Sequence, residues 1–171
     1  MEIKIATMAD IDVCYDLILQ ARLFLKECGV DQWQHDYPNR DNIIADLQAG
    51  TGLLLMDGAC AAAYACVDFD GEPAYDGLHG KWLDEKPYAV IHRLTVHNAF
   101  KGKGVAKLFF RQIETFVQQR GIDSIRIDTD DDNAIMKHLI ESIGYVYCGT
   151  IWFDYSGKIA YQRQLGYVER Q

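Results

Sequence analysis

Between a strand-like run, Tyr88 to Val96, and a helix-patterned run, Gly104 to Arg120, the chain reads Val96-His97-Asn98-Ala99-Phe100-Lys101-Gly102-Lys103-Gly104-Val105-Ala106. A glycine-rich turn that joins a strand to the start of a helix constrains both elements. Gly102 and Gly104 allow a tight turn and close approach of the backbone to a ligand. The free N–H groups of the first helical turn then face that ligand, and the helix dipole favours negative charge there. The spacing therefore predicts a pocket for a phosphorylated small molecule.

The remaining elements follow from periodicity and turn chemistry. Met1 to Ala6 alternates as a strand, and Thr7-Met8-Ala9-Asp10 has the form of a capping box. Ile11, Cys14, Tyr15, Ile18, Ala21 and Leu25 recur at helical spacing, and Gly29 stops the run. An aromatic loop, Val30 to Asn39, and a short helix, Asn42 to Gln48, come next. Gly52 to Met56 and Cys60 to Phe69 form a hairpin across Asp57-Gly58. Asp70 to Pro87 is rich in Gly, Pro and Asp, and its length points to function or a short extra helix. After the glycine turn, Val105, Leu108, Phe109, Ile113, Phe116 and Val117 share one helix face. Ser124 to Thr129 is a strand. A helix from Asn133 turns Met136, Leu139, Ile140 and Ile143 inward and ends at Gly144. Tyr145 to Phe153 and Ile159 to Leu165 close the sheet. The middle strand–helix–strand unit implies a right-handed parallel crossover and the hairpins imply antiparallel edges, so the fold class is mixed α+β. No repeat or linker divides the chain, and residues 1–171 read as one domain.

Composition narrows the functions. Apolar residues make up 49%, enough for a core, and the net charge of −8 lacks the basic footprint of a nucleic-acid binder. An acidic chain suits a cationic acceptor such as an amine. No apolar run approaches the ~20 residues that span a bilayer, and the N-terminus lacks a signal-peptide core. Cys14, Cys28, Cys60, Cys66 and Cys148 are odd in number and never spaced C-x-x-C, so they read as reduced, mostly packed thiols of a cytoplasmic protein with no metal site.

With these motifs placed, the sequence resembles the GNAT superfamily of N-acetyltransferases. Leu94-x-Val96 is followed by Lys101-Gly102-Lys103-Gly104-Val105-Ala106, close to the family's [Gln/Arg]-x-x-Gly-x-[Gly/Ala], with Lys101 where Gln or Arg is usual. Asn133-Ala134 and Leu139-Ile140-Glu141-Ser142-Ile143-Gly144-Tyr145 resemble its Asn-x-x-Ala and Leu-Tyr-Glu-Lys-x-Gly-Phe segment. The resemblance implies a three-layer fold with a mixed, mostly antiparallel sheet of about seven strands, splayed at the central parallel pair. It implies acetyl coenzyme A as donor. The pyrophosphate would lie on the N–H groups of Lys101, Gly102, Lys103, Gly104, Val105 and Ala106. The pantetheine arm would pair with the backbone of Leu94, Thr95 and Val96, as a linear amide suits an open strand edge. Asn133 would reach the arm or the phosphates.

By the same likeness the Leu94 N–H is the candidate oxyanion donor, since strand N–H groups are preorganised. Ile140 stands where the family often has a tyrosine general acid, and it cannot give a proton. A thiol of pKa ~8.5 is still a fair leaving group. Tyr145, Tyr147, Cys148 and His138 lie nearby in sequence without an assignable role. His92, two residues before Leu94 and so on the same strand face, is the candidate base because imidazole titrates near pH ~6.5; a hydrogen-bonded structural histidine is the competing reading. Trp33, Gln34, Tyr37, Phe69, Glu72 and Tyr75 fall in the two loops that line the acceptor pocket in this family. The alternative is that Trp33 and Tyr37 only cover the core. The expected reaction is direct attack by a primary amine, on a small molecule or a peptide N-terminus, in a ternary complex. A coenzyme-A-binding module without turnover is the rival, and a homodimer is the expected assembly.

Two other signals fail on their spacing. Asp128-x-Asp130-x-Asp132 opens like a calcium loop, but Asn133 replaces the required Gly and Leu139 the bidentate Glu, so these acids are expected to face solvent or the next helix N-terminus. Gly102-x-Gly104 is a partial dinucleotide fingerprint whose third glycine position is Lys107, which leaves nicotinamide binding a distant alternative.

Overall fold

The computed structural model describes residues 1–153 and 156–166. Among these are four α-helices and an eight-stranded sheet of order β1-β2-β3-β5-β6-β8-β7-β4. The strands are β1 Glu2–Ile5, β2 Gly52–Asp57, β3 Cys60–Asp68, β4 His79–Gly80, β5 Ala89–Val96, β6 Ser124–Thr129, β7 Val146–Phe153 and β8 Ser156–Gln164. The helices are α1 Ile11–Glu27, α2 Arg40–Ala49, α3 Val105–Gln118 and α4 Ala134–Ser142. The sheet is mixed and mostly antiparallel; β5 and β6 pair in parallel at Ala89↔Ile125 and Val90↔Arg126. The element order matches the sequence reading apart from β4, which raises the expected seven strands to eight. Two residues carry no alternation, so β4 had no sequence signal.

The chain forms two compact units. One comprises Met1–Val67 with His92–Ile113. Here the Thr7–Asp10 capping box closes a 3-10 turn, Met8–Asp10, that leads into α1. The Thr7 N–H donates to Asp10 Oδ2 at 2.9 Å. Helix α1 buries Cys14, the adjacent pair Leu17 and Ile18, Ala21 and Leu25, the i, i+3, i+4 spacing of one helix face. Cys14, Leu17 and Ile18 pack with Ile43 and Leu47 of α2, Leu54 of β2, and Ala61 and Tyr64 of β3. Asn39 caps α2, exchanging side-chain and backbone hydrogen bonds with Asn42.

The other unit comprises Asp68–Ile91 and the chain from Glu114 onward. Its core joins Tyr75, Trp82, Val90, Cys148, Ile151 and Ala160. The Asp70–Pro87 segment folds around a 3-10 helix, Pro73–Gly77, with Glu72 accepting from the Ala74 N–H at its start. That is the short extra helix its length suggested. The guanidinium of Arg126 lies between the rings of Trp82 and Tyr88, 4.1 and 3.8 Å from their centroids. Stacking on two aromatic faces explains how a charge is kept inside β6.

The buried stripe of α3 is Val105, Phe109, Phe110, Ile113 and Val117. Leu108, expected inward, is 37% exposed, and Phe110 takes the buried position. Phe110 lies three and seven residues from Ile113 and Val117, closer to the centre of the stripe than Leu108. All five cysteines are free thiols; Cys14, Cys66 and Cys148 are buried, Cys28 and Cys60 exposed. No group of three or more His, Cys, Asp or Glu is arranged to hold a metal among the described residues.

Candidate active site

The glycine turn takes the conformation its composition demands. Gly102 and Gly104 have φ of 74° and 76°, the left-handed region that a side chain opposes. Apart from the flanking residues, no heavy atom lies within 4 Å of where a Cβ would stand at either position, so the glycines serve the backbone conformation and the space above them is open. The first i→i−4 bond of the following helix runs from the Leu108 N–H to the Gly104 carbonyl at 3.1 Å. The N–H groups of Val105, Ala106 and Lys107 precede it and have no acceptor inside the helix. Open space above a turn that ends in such amides is suited to a diphosphate.

Neighbouring contacts fix the approach to this turn. Thr95 Oγ1 donates to the Leu17 carbonyl at 3.3 Å, tying β5 to α1. The Asn98 N–H donates to Gln20 Oε1, and the Ala99 N–H to His97 Nδ1. The Lys101 N–H is used by the 3-10 turn Asn98–Phe100, donating to the Asn98 carbonyl. Its ammonium is buried without a hydrogen-bond partner, 3.5 Å from the centroid of the Phe24 ring. Burial holds its pKa below the usual lysine range. Lys101 thus has its N–H engaged within the loop and its ammonium buried on the Phe24 ring. Lys103 donates to the Ala99 carbonyl at 2.8 Å, within its own loop.

In β5, Leu94 and Thr95 are buried and His92 is half-buried. Arg93 between them has φ of 55°. A left-handed residue interrupts the two-residue alternation of a strand, so spacing no longer places His92 and Leu94 on one face. The Arg93 guanidinium grips Asp46 of α2 through two bonds, Nε to Oδ2 at 2.9 Å and Nη2 to Oδ1 at 2.5 Å. Tyr64 also donates to Asp46 Oδ2, at 2.7 Å, and Arg93 Nη1 donates to the Tyr37 hydroxyl at 2.7 Å.

The loop residues proposed for the acceptor separate by unit. In the first, Gln34 donates to the Arg22 and Gln32 carbonyls, Trp33 packs partly buried against the core, and Tyr37 is 44% exposed. In the second, Phe69 packs on Phe116 and Arg120, and Tyr75 is buried with its hydroxyl donating to Asp128 Oδ2 at 2.8 Å. Asn133 is buried, and its Oδ1 caps α4 by accepting from the Met136 N–H at 3.1 Å.

The expectation that the Asp128 and Asp130 carboxylates face solvent is corrected. Asp128 is half-buried against Tyr75, and Asp130 pairs with Lys158. Burial pushes the Asp128 carboxyl up to about 6, against the Tyr75 hydrogen bond and the Lys158 charge, which lower it. Asp46 and Arg93 escaped the sequence reading, and the buried Tyr75 partner of Asp128 did not show in it. For Arg93 a signal existed: a lone cation inside the apolar run Ala89 to Val96, where strand alternation gives it no solvent face.

The family model for the acetyltransferase (GNAT) family matches residues 18–145. A GNAT-family acetyltransferase from Streptococcus agalactiae is 33% identical, with 97% of this chain and 96% of that one aligned at a TM-score of 0.89. A GNAT-family acetyltransferase from Listeria monocytogenes shares the fold at 22% identity and a TM-score of 0.77, over 95% and 94% of the two chains. So does a putative acetyltransferase from Salmonella typhimurium whose structure includes acetyl-CoA, at 18% identity and a TM-score of 0.65, over 98% and 95%. The chain belongs to the acetyltransferase (GNAT) family.

Proposed function

We propose that this protein transfers the acetyl group of acetyl-CoA to a primary amine by direct attack within a ternary complex. The observation that carries the reading is the open glycine turn, with both glycines left-handed and the leading amides of α3 behind it. In a GNAT-family chain that turn is the place for a coenzyme A diphosphate, and residues Gly102 to Ala106 are assigned to it. The Leu94 N–H is assigned to the developing oxyanion, where a fixed donor lowers the barrier more than it stabilises the substrate. His92 is assigned as base for the attacking amine, directly or through water.

A covalent relay through Cys148 is disfavoured by its surroundings. The thiol is buried, donates to the Val146 carbonyl, and is held above its ordinary pKa by burial, so little thiolate is available to attack. The test is thiol release from acetyl-CoA with a panel of polyamines, amino acids and peptide N-termini, beside calorimetry with acetyl-CoA alone. Turnover with an amine is expected.

One observation favours a second reading, a module that binds acyl-CoA without turnover. Ile140, at the position of the family's tyrosine acid, is 0% exposed and belongs to the core. Binding with no thiol release across the whole panel would select that reading. Absence of binding would remove both.

A further inference from the structure

Arg93 is the one non-glycine residue with left-handed φ inside a strand among the described residues; Trp33 and Asp36, the other two, lie in the loop before α2. An arginine does not adopt this conformation by preference, so surrounding contacts must impose it. Those contacts are unusually complete. Asp46 takes the guanidinium with both carboxylate oxygens, and the side chains are 12% and 7% exposed for Arg93 and Asp46. The planar fork of an arginine matches a carboxylate in one orientation only, so the pair fixes direction as well as distance. Tyr64, fully buried on β3, holds Asp46 from a third side. The remaining guanidinium nitrogen reaches the Tyr37 hydroxyl, and the Arg93 Cζ lies 5.9 Å from the Tyr37 ring centroid. The Arg93–Asp46 pair therefore links α2, β5, the loop carrying Tyr37 and, through Tyr64 on Asp46, β3, all in the first unit. The peptide immediately after it bears the Leu94 N–H.

We propose that Asp46, Tyr64 and Tyr37 clamp the Arg93 side chain so that β5 keeps its left-handed residue and the Leu94 N–H keeps its aim. Asp46 and Arg93 are then positioning residues for acetyl transfer. This rests on the assignment of that N–H as oxyanion donor. A salt bridge that only joins α2 to β5 would stabilise the protein equally well with any backbone conformation at residue 93, and that difference is measurable.

The experiment compares alanine with glycine at position 93. Both delete the clamp, but glycine adopts a left-handed φ without strain and alanine does not. A lone buried carboxylate would itself destabilise the fold, so both changes are made with Asp46→Asn, and each double variant is first checked for native circular dichroism. In Asp46→Asn/Arg93→Ala, the crystal structure is expected to show residue 93 outside the left-handed region. Its kcat for the best amine of the panel is expected to fall roughly tenfold to a hundredfold, with the Kd for acetyl-CoA within about twofold of wild type. In Asp46→Asn/Arg93→Gly, the left-handed φ should persist and most of kcat return. Equal loss in the two variants, unchanged kcat in both, or a loss carried by Kd overturns the proposal. So does an alanine double variant that keeps the left-handed φ at residue 93, or, where that variant does not fold, a glycine double variant that fails to fold as well. If the wild type neither binds acetyl-CoA nor turns over, the enzymatic reading fails by itself, and the φ of residue 93 in the variants still decides whether the clamp sets the backbone.

Discussion

Single residues carry the donor chemistry, and the glycine turn shows how directly. At Gly104 a methyl group would meet nothing, so Gly104→Ala acts through the backbone alone. Holding alanine in the left-handed region costs roughly 1–2 kcal/mol, and relief of that strain would rotate the amides proposed for the diphosphate. Urea unfolding should show that loss of stability, and calorimetry a weaker Kd for acetyl-CoA; an unchanged Kd would move the diphosphate elsewhere. Asp128 makes a different prediction. Its folded-state pKa of about 6 lies above the ordinary 3.8, so the folded chain holds this proton at pH values where the unfolded chain has released it. The resulting stabilisation is whole below about pH 3.8 and is lost as pH rises through about 6. Asparagine does not titrate, so Asp128→Asn should gain on the wild type by up to roughly 3 kcal/mol between about pH 4 and pH 7, less whatever its remaining exposure screens. Parallel stability curves for the two proteins would contradict this. The glycines were legible in the sequence because their requirement is local. Asp46 and Asp128 were not, because an acid in a helix or at a strand end reads as solvent-facing until its tyrosine partner, 18 or 53 residues away, is placed beside it.

At the scale of elements, periodicity and caps did most of the work. The Thr7 box and the strand–turn–helix at Gly102 each depend on neighbours within a few residues, and each stands where the spacing put it; the hairpin turn falls one residue later than Asp57-Gly58, at Gly58-Ala59, with Asp57 paired to Cys60 at the end of β2. What periodicity could not supply was the break in β5, where a tertiary ion pair overrides the alternation. Nor could it decide what Asn133 does. The structure gives that side chain a local task, accepting the Met136 N–H at the start of α4. Asn133→Ala should therefore cost about 1 kcal/mol through the lost cap. Asn133→Asp keeps the accepting oxygen and adds a charge that the helix N-terminus favours, so it should restore stability. Thermal unfolding of the two variants tests the assignment: equal destabilisation would mean that the cap contributes little.

For the molecule as a whole, the resemblance seen in two short motifs extends over nearly the full length, as the alignment of 97% of this chain with the Streptococcus agalactiae acetyltransferase shows. The division into two compact units had no counterpart in the sequence, because both units draw on β5 and α3 and no linker marks a boundary. Ligand linkage offers a global test of the donor assignment that does not require the acceptor to be known. A ligand that binds only the folded chain stabilises it by about 2.7 kcal/mol at a hundredfold excess over its Kd. For a chain of this length each kcal/mol moves Tm by roughly 2–4 °C, so saturating acetyl-CoA should raise Tm by about 5–10 °C. The net charge of −8 opposes an anionic ligand at long range, whereas the amides of the glycine turn act at contact. The shift should therefore survive moderate salt, which screens the first effect more than the second. It should shrink in Gly104→Ala by more than that variant's own loss of stability accounts for. Scanning calorimetry of both proteins with and without acetyl-CoA measures each quantity, and a wild-type Tm that does not respond at saturation would separate this glycine turn from coenzyme A.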